Sequence, residues 1–207
     1  MIDKAAAILS AAETGPAGLA GLVERTGFSR ATTHRLATAL EVHGYLRRDG
    51  EGRFALGTRL FALGEAAARH WPIADAAGPA LAALRDATGE SAQLYVRDGD
   101  VRVCVASLES PHGLRTIVAR GVSLPLDQGS GGRALAGESN QVGYVVSIEE
   151  REAGVASVSA PVRNGDVVLA AVSVSGPTER LTRDPGPSFG PPVIAAAREI
   201  EVAAGLS

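Results

Sequence analysis

Cysteine, lysine and aromatic residues are scarce in this sequence of 207 residues, and long apolar runs are missing. Cys104 is the single cysteine, which excludes an intrachain disulfide and a zinc site built from several cysteines. No apolar run approaches the roughly 18 residues that a membrane-spanning helix needs, and the first residues lack the layout of a signal peptide. We therefore expect a cytoplasmic protein without a membrane partner, a metal ion or a cofactor.

The scarcity of aromatic residues also constrains the core. Aromatic residues make up 4% of the chain, whereas 45% of all residues are hydrophobic and 21% are charged. This balance is typical of globular chains and excludes general disorder. The core must come mainly from Ala, Val, Leu and Ile, and the length allows one large domain or two small ones.

Charge is distributed unevenly along the chain. Residues 1–71 contain nine Lys or Arg and seven Asp or Glu, a net charge of +2, whereas residues 72–207 contain eleven Arg and sixteen acidic residues, a net charge of −5. Seven arginines and three acidic residues fall within residues 25–59, a net charge of +4. A local basic patch can bind phosphates even in an acidic protein, because salt screens the field of distant charges. A solvated surface explains the same charges.

The first 57 residues predict three helices followed by a β-hairpin. Apolar residues recur at helical spacing in Ile2–Glu13, a short second helix ends at Gly27, and Ser29 stands at the N-cap of a third helix that ends near Gly44. Two short alternating runs joined by residues 49–52 predict the hairpin. This order is typical of a winged helix-turn-helix, whose third helix enters the major groove of DNA.

The third helix separates an inner face from an outer face. We expect Thr33, Leu36 and Leu40 to pack inward. Arg30 and His34 then reach base edges, while Thr32 and Arg35 suit phosphate oxygens. The candidate DNA-binding residues are Ser29, Arg30, Thr32, His34 and Arg35 on this helix, and Arg47, Arg48 and Arg53 on the wing, where they would neutralise phosphates.

Two alternatives remain open for this segment. It could be a small three-helix scaffold without a DNA role, or a module that docks a protein partner. Substituting Arg35 by Ala separates the second alternative from DNA binding. The loss of a phosphate contact weakens binding to every DNA sequence and lowers the salt dependence, whereas a protein contact need not change.

In the second half of the chain, apolar residues recur with a period of two. This pattern predicts two hairpins. The first joins residues 91–97 to 101–107, and the second joins residues 155–162 to 167–175 through an Asn-Gly turn. Residues 114–120 are a further candidate strand. Helices are predicted over residues 73–87 and 192–206, preceded by an interruption at Trp71-Pro72, with His70 as a helix-end residue. Antiparallel strands flanked by helices predict an α+β domain.

The glycine-rich stretch at residues 127–134 fits the spacing of a dinucleotide-binding loop. We reject a nucleotide site there, because the surrounding strands are hairpins rather than a parallel sheet. The stretch is expected to be a loop before a helix over residues 133–137. It either presents backbone N–H groups to an anion or is a flexible surface loop.

Three blocks of sequence resemble the isocitrate lyase regulator (IclR) family of bacterial transcription factors. They are residues 26–36 with 44–46 and 53–57, residues 154–162, and residues 171–177 followed by Arg180-Leu181. The resemblance implies an N-terminal winged helix-turn-helix, a C-terminal GAF-like effector domain, and dimers or tetramers. Residues 90–95 resemble a branch linked to the biosynthesis of amino acids, including leucine.

The resemblance also implies an effector site. The implied effector-binding residues are Ser130, Gly131, Ser147, Ser157, Ser173 and Ser175. The family often has Cys at the position of Ser157 and an acidic residue at that of Ser147, which leaves the ligand open between an amino acid and an organic acid. Arg115, Arg120 and Arg133 favour a carboxylate, although exposure explains them equally well. Strand serines that face solvent are the alternative interpretation.

The chain is short for this family between the helix at residues 134–136 and the strand that begins at Tyr144. The sequence either has a deletion at residues 137–143 or omits a disordered stretch there. An enzyme is not expected, because residues 113–207 contain no histidine to activate a serine.

These observations predict a transcriptional regulator without catalytic residues. Residues 1–57 would bind double-stranded operator DNA, residues 58–71 would form a linker helix, and residues 72–207 would bind a small effector and oligomerise. A palindromic operator requires at least a homodimer.

Overall fold

The computed structural model describes residues 1–69 and 72–206 of the chain. Contacts between Cα atoms divide the chain into two compact units, residues 1–70 and 71–207. The predicted helix end at His70 and the predicted interruption at Trp71 lie outside the described residues. Within the described ranges, no helix is both long enough and apolar enough to cross a membrane.

The first unit contains four helices and a two-stranded hairpin, as the sequence predicts. The elements are α1 Ile2–Glu13, α2 Leu19–Thr26, α3 Arg30–Val42, β1 Leu46–Arg48, β2 Phe54–Leu56 and α4 Thr58–Arg69. Gly27 ends α2 with φ +69°, a backbone conformation that glycine adopts without strain. Ser29 caps α3 by accepting a hydrogen bond from the Thr32 N–H.

The core of the first unit joins the three predicted helices to the hairpin. Ile8, Leu22, Leu46 and Phe54 are almost completely buried in one apolar cluster. The backbone of Phe54 exchanges two hydrogen bonds with Ala17, just before α2. The hairpin is therefore fastened to the helices at its second strand.

The second unit is a six-stranded antiparallel sheet with helices on both faces. Its elements are α5 Pro72–Thr88, β3 Ser91–Asp98, β4 Val101–Leu108, β5 Ser123–Pro125, α6 Gly129–Leu135, β6 Val145–Ile148, β7 Val155–Asn164, β8 Val167–Pro177, α7 Thr178–Leu181 and α8 Gly186–Ala203. The strand order is β5-β4-β3-β8-β7-β6. Both predicted hairpins are present, β3 with β4 and β7 with β8.

The two faces of the sheet differ in chemistry, because side chains alternate along each strand. Leu94, Val158 and Val172 belong to a buried apolar cluster that includes Leu81 of α5 and Ile200 of α8. The opposite face carries the serines of β7 and β8 and packs against α6. The α+β architecture thus leaves one polar face beneath a short helix.

The prediction of a strand at residues 114–120 is wrong. Residues 115–119 carry no regular secondary structure, and Leu114 and Ile117 are 68% and 58% exposed. A later segment of the chain pairs with the edge of β4 instead. The Cys104 N–H donates to the Val122 carbonyl, and Val101 pairs with Pro125 in β5.

Two helices begin earlier than the sequence indicates. The predicted loop at residues 127–134 is mostly helix, because α6 begins at Gly129 rather than at residue 133. The last helix begins at Gly186 and runs through Pro191 and Pro192, which local propensity disfavours. The first part of this helix packs closely against Tyr144, because a Cβ atom at Gly190 would come within 2.5 Å of the Tyr144 ring.

The connection between α6 and β6 is a short turn. The side-chain Oδ1 of Asn140 accepts hydrogen bonds from the N–H groups of Val142, Gly143 and Tyr144 at 3.0, 2.9 and 3.1 Å. A single asparagine therefore shapes the segment in which the resemblance implies a longer connection.

Candidate functional site

The N-terminal half of α3 presents a polar surface opposite the core. Thr33 and Leu36 are buried, and Leu40 is half-buried, so the predicted inward face is confirmed. The Ser29 hydroxyl accepts from the Thr32 N–H at 3.3 Å and donates to the Thr32 hydroxyl at 3.0 Å. Both residues therefore stabilise the start of α3, and their predicted contacts with DNA remain a prediction.

Several basic side chains on this surface are exposed. Arg30, His34 and Arg35 of α3 and Arg47 of β1 are exposed. Within residues 1–69 and 72–206, the guanidinium groups of Arg30, Arg35 and Arg47 form no ion pair or hydrogen bond. Unpaired arginines next to a helix-turn-helix suit contacts with phosphates and with guanine edges.

The other two wing arginines already have acidic partners. Arg48 donates to both carboxylate oxygens of Glu41 at 3.3 Å, and Arg53 lies 2.8 Å from Asp49 and 3.1 Å from Glu51. The hydrogen bond from Arg53 lowers the pKa of Asp49. Sequence reasoning missed these pairs, which partly neutralise the wing.

A small cavity of about 30 Å³ lies on the polar face of the second unit. Five of the six predicted effector-binding residues line it, namely Gly131, Ser147, Ser157, Ser173 and Ser175. Residues that were not predicted to bind an effector complete the lining: Tyr95, Arg102, Gly129, Arg151, Glu152 and Val155. The fold thus brings together β3, β4, α6, β6, β7 and β8 at one place.

Serine hydroxyls connect the strands behind this cavity. The Ser130 hydroxyl lies 2.6 Å from the Ser157 hydroxyl and 2.7 Å from that of Ser159, and Ser159 donates to Ser173 at 2.8 Å. Ser130 is completely buried and supports the cavity wall rather than lining it. These serines face the protein interior, so the alternative of solvent-facing strand serines is wrong.

One interpretation expected the backbone N–H groups of the glycine-rich stretch to meet an anion, and an internal carboxylate takes up one of them. The Gly129 N–H already donates to a carboxylate oxygen of Glu150 at 3.0 Å. Gly129, Gly131 and Gly132 are buried in α6, so the stretch is not a flexible surface loop either.

Arg115, Arg120 and Arg133, which were expected to favour a carboxylate effector, lie outside the cavity lining. Arg115 pairs with Glu109 at 2.7 Å, and Arg133 pairs with Glu138 and Glu150 at 2.8 Å each. Arg120 is exposed. None of the three lines the cavity among the residues that the structure describes, whereas Arg102 does.

Sequence reasoning missed the polar residues of β3 and β4. Gln93 and Tyr95 are two residues apart in β3, so their side chains share a face of the sheet. Gln93 lies opposite Ser173 of the neighbouring strand β8. Arg102 stands between valines in β4 and is only 3% exposed. A charged residue inside an apolar strand is the signal that could have found this site.

Cys104 is a core residue. It is completely buried, and burial raises the pKa of its thiol to about 11. In the part of the chain that the structure describes, no group of three or more His, Cys, Asp or Glu side chains is arranged to hold a metal ion.

Comparisons with known proteins agree on one family. The model of the IclR helix-turn-helix domain matches residues 1–50, and that of the bacterial transcriptional regulator IclR C-terminal domain matches residues 65–138 and 137–202. The HTH-type transcriptional regulator KipR of Bacillus subtilis is 28% identical over 218 residues, covering 88% of this chain and 87% of that protein. The transcriptional repressor IclR of Escherichia coli is 25% identical, covering 94% and 85%.

A solved structure shares the fold. An IclR homologue from Microbacterium hydrocarbonoxydans, complexed with 4-hydroxybenzoate, superposes with a TM-score of 0.82 at 20% identity and covers 99% of this chain and 98% of that chain.

The comparisons also bear on the short connection. The C-terminal domain model matches in two parts that meet at residues 137–138. The alignment with KipR runs over 218 positions, whereas 88% of 207 residues is about 182, so about 36 positions have no counterpart in this chain. The break in the match to the C-terminal domain model therefore falls beside the Asn140 turn.

Proposed function

This chain belongs to the IclR family of bacterial transcriptional regulators, and we propose that it represses transcription by binding operator DNA through α3 and the wing. The observation that supports this most directly is the surface of α3, where Arg30, His34 and Arg35 are exposed opposite a buried face. Repression is proposed because the Escherichia coli relative is named a repressor.

We propose that Arg30 and His34 contact base edges, while Thr32, Arg35 and Arg47 contact phosphates. Arg48 and Arg53 would exchange their carboxylate partners for phosphates on binding. Exposed ion pairs contribute little to stability, so the exchange costs little. Residues 1–57 would form the DNA-binding part and residues 58–71 the linker. A homodimer or homotetramer would match a palindromic operator.

A small molecule in the second unit would control operator binding. Support comes from the cavity lined by Ser157, Ser173 and Ser175 and from the related structure that holds 4-hydroxybenzoate. Occupancy would shift the population between DNA-competent and DNA-incompetent arrangements. The link to amino-acid biosynthesis stays a prediction.

Catalysis is not part of this proposal. Ser157, Ser159 and Ser173 form hydrogen bonds with other serines, whereas a nucleophilic serine needs a neighbouring base. The relatives KipR and IclR are named as regulators.

Fluorescence anisotropy with labelled promoter fragments tests the proposal. We expect selective binding that weakens steeply with salt and changes when amino acids or keto acids are added. Arg35→Ala should weaken binding to all fragments and lower the salt slope by about one. Arg198→Ala, an exposed arginine of α8, is the matched control. Weak binding to every fragment without salt dependence would refute the proposal.

A further inference from the structure

Two neighbouring arginines of the wing differ in whether an acid already holds them. Arg47 and Arg48 are consecutive residues of β1, so their side chains point to opposite faces of the hairpin, and both are exposed. Within the described ranges, Arg47 forms no ion pair or hydrogen bond, whereas Arg48 pairs with Glu41 of α3. The two cations are therefore not equally available to a phosphate.

The guanidinium group of Arg48 is held by several contacts at once. Its Nε donates to both carboxylate oxygens of Glu41 at 3.3 Å, and its Nη1 donates to the Gly52 carbonyl at 2.8 Å. The group also lies 3.5 Å from the centre of the Phe54 ring, and Phe54 is completely buried in the core. A phosphate that uses the Nε–H of Arg48 must therefore replace the Glu41 carboxylate.

Glu41 can be replaced in this way because its side chain has no other task. Among the described residues, its carboxylate accepts hydrogen bonds from Arg48 alone. The acid beside Arg53 differs, since Oδ1 of Asp49 also accepts from the N–H groups of Glu51 and Arg53 and so shapes the turn. Removing Glu41 thus changes the partner of an arginine and leaves the hairpin turn intact.

A carboxylate and a phosphate compete for the same cation, because both accept charge-assisted hydrogen bonds from a guanidinium. While Glu41 holds Arg48, the pair has no net charge, so Arg48 neutralises no phosphate and releases no counterion from DNA. In a nonspecific complex the protein slides along the duplex, and no phosphate stays beside the wing. In a docked operator complex the phosphates are fixed relative to the protein, and one of them can replace the carboxylate.

We propose that Glu41 is a specificity-determining residue, which withholds Arg48 from nonspecific DNA and yields it to a phosphate of the docked operator. The inference rests on the proposed function, since it concerns how the regulator distinguishes its operator from other sequences. Specificity is a difference between two affinities, and it increases when the unwanted complex is weakened. Glu41 does this by electrostatic competition, without contacting a base.

Fluorescence anisotropy of the full chain with a labelled duplex of random sequence tests this proposal. Glu41→Gln removes the competing charge, and Arg48 then neutralises about one more phosphate, which steepens the salt slope by about 0.9. The binding constant should rise about eightfold at about 0.1 M salt, and the curves of variant and wild type should converge near about 1 M.

The matched control separates the release of Arg48 from a general gain of positive charge. Glu24→Gln makes the same change of charge at an exposed acid of α2 that forms no ion pair within the described ranges. This control should leave the salt slope at the wild-type value, because it releases no arginine.

Two further variants identify the group that causes the gain. Adding Arg48→Gln to Glu41→Gln should abolish the increase, because no arginine is left to be released. Glu41→Ala should give at least the gain of Glu41→Gln, since alanine cannot accept a hydrogen bond from Arg48. The promoter fragment that binds most tightly should gain less than the random duplex, so that the ratio of their binding constants falls about threefold.

The outcomes decide this inference separately from the proposed function. Unchanged binding of the random duplex by Glu41→Gln would overturn the inference, and weaker binding would show that Glu41 only holds the wing in place. A gain that persists without Arg48, or an equal steepening in Glu24→Gln, would also overturn it. In these cases selective promoter binding by the wild type would leave the proposed function standing. If Glu41→Gln gains as expected but the wild type selects no promoter fragment, the competition for Arg48 stands and the proposed function fails.

Discussion

Removing one partner of the ion pair between Glu90 and Arg180 should strongly destabilise the second unit. Glu90 is 2% exposed and accepts from Nε and Nη2 of Arg180 at 2.5 and 2.8 Å. Arg180 also donates to the Leu114 carbonyl at 2.8 Å. The pair thus joins the start of β3, the loop after β4 and α7, which are far apart in sequence.

Arg180→Met removes the cation and leaves the Glu90 carboxylate buried. Breaking a buried ion pair by removing one partner costs about 3–5 kcal/mol. The Arg180 side chain is 30% exposed, so water can reach part of the vacated space, and we expect a loss of about 2–3 kcal/mol. With a slope of about 2 kcal/mol per M in urea, the unfolding midpoint should fall by about 1–1.5 M.

Urea unfolding of the full chain, followed by circular dichroism, measures this change. The double variant Glu90→Met/Arg180→Met should lose at least about 1 kcal/mol less than the sum of the two single variants, because it leaves no unpaired buried charge. Arg198→Met, an exposed arginine of α8, should change stability by less than about 0.5 kcal/mol. An Arg180→Met variant as stable as the wild type would refute the reasoning.

Three further predictions concern single positions. Gly132→Ala should destabilise the protein by at least about 2 kcal/mol, because the added Cβ atom would overlap the Leu126 carbonyl. Gly64→Ala, in the open part of α4, should stabilise the protein by about 0.5–1 kcal/mol. Unfolding midpoints of the two variants that move in the same direction would contradict this. Ser29→Ala should lower the stability of the first unit by about 1 kcal/mol through loss of the α3 cap, and an unchanged melting temperature would count against it. Cys104, with a pKa of about 11, should have a thiolate fraction of about 0.001 at pH 8 and resist a thiol reagent until the chain is unfolded; rapid labelling of the folded protein would exclude the buried placement.

The first unit could be predicted closely, because its signals are local. The cap at Ser29, the stop at Gly27 and the turn at residues 49–52 each depend on a few neighbouring residues. Sequence reasoning did not find the ion pairs of Arg48 and Arg53, since the rotamers of long side chains depend on which acids lie within reach.

The second unit shows where local signals fail. The strand expected at residues 114–120 has suitable residues, but the sheet edge is used by residues 122–125 instead. The helix α8 continues through Pro191 and Pro192 against proline propensity, and it packs closely against Tyr144 at Gly186 and Gly190. Tertiary contacts override local preference in both places.

The family, the helices and hairpin of the first unit and the polar face of the serines could be inferred from the chain alone, because these follow from local periodicity and from blocks of matching residues. Which charged and polar groups meet depends on the tertiary fold. Gln93 reaches Ser175, 82 positions away in the chain, only because β8 lies beside β3. Arg102 becomes a buried, unpaired cation only because α6 closes over it. Such a charge depends on strand register and on burial, which involve residues far apart in the chain.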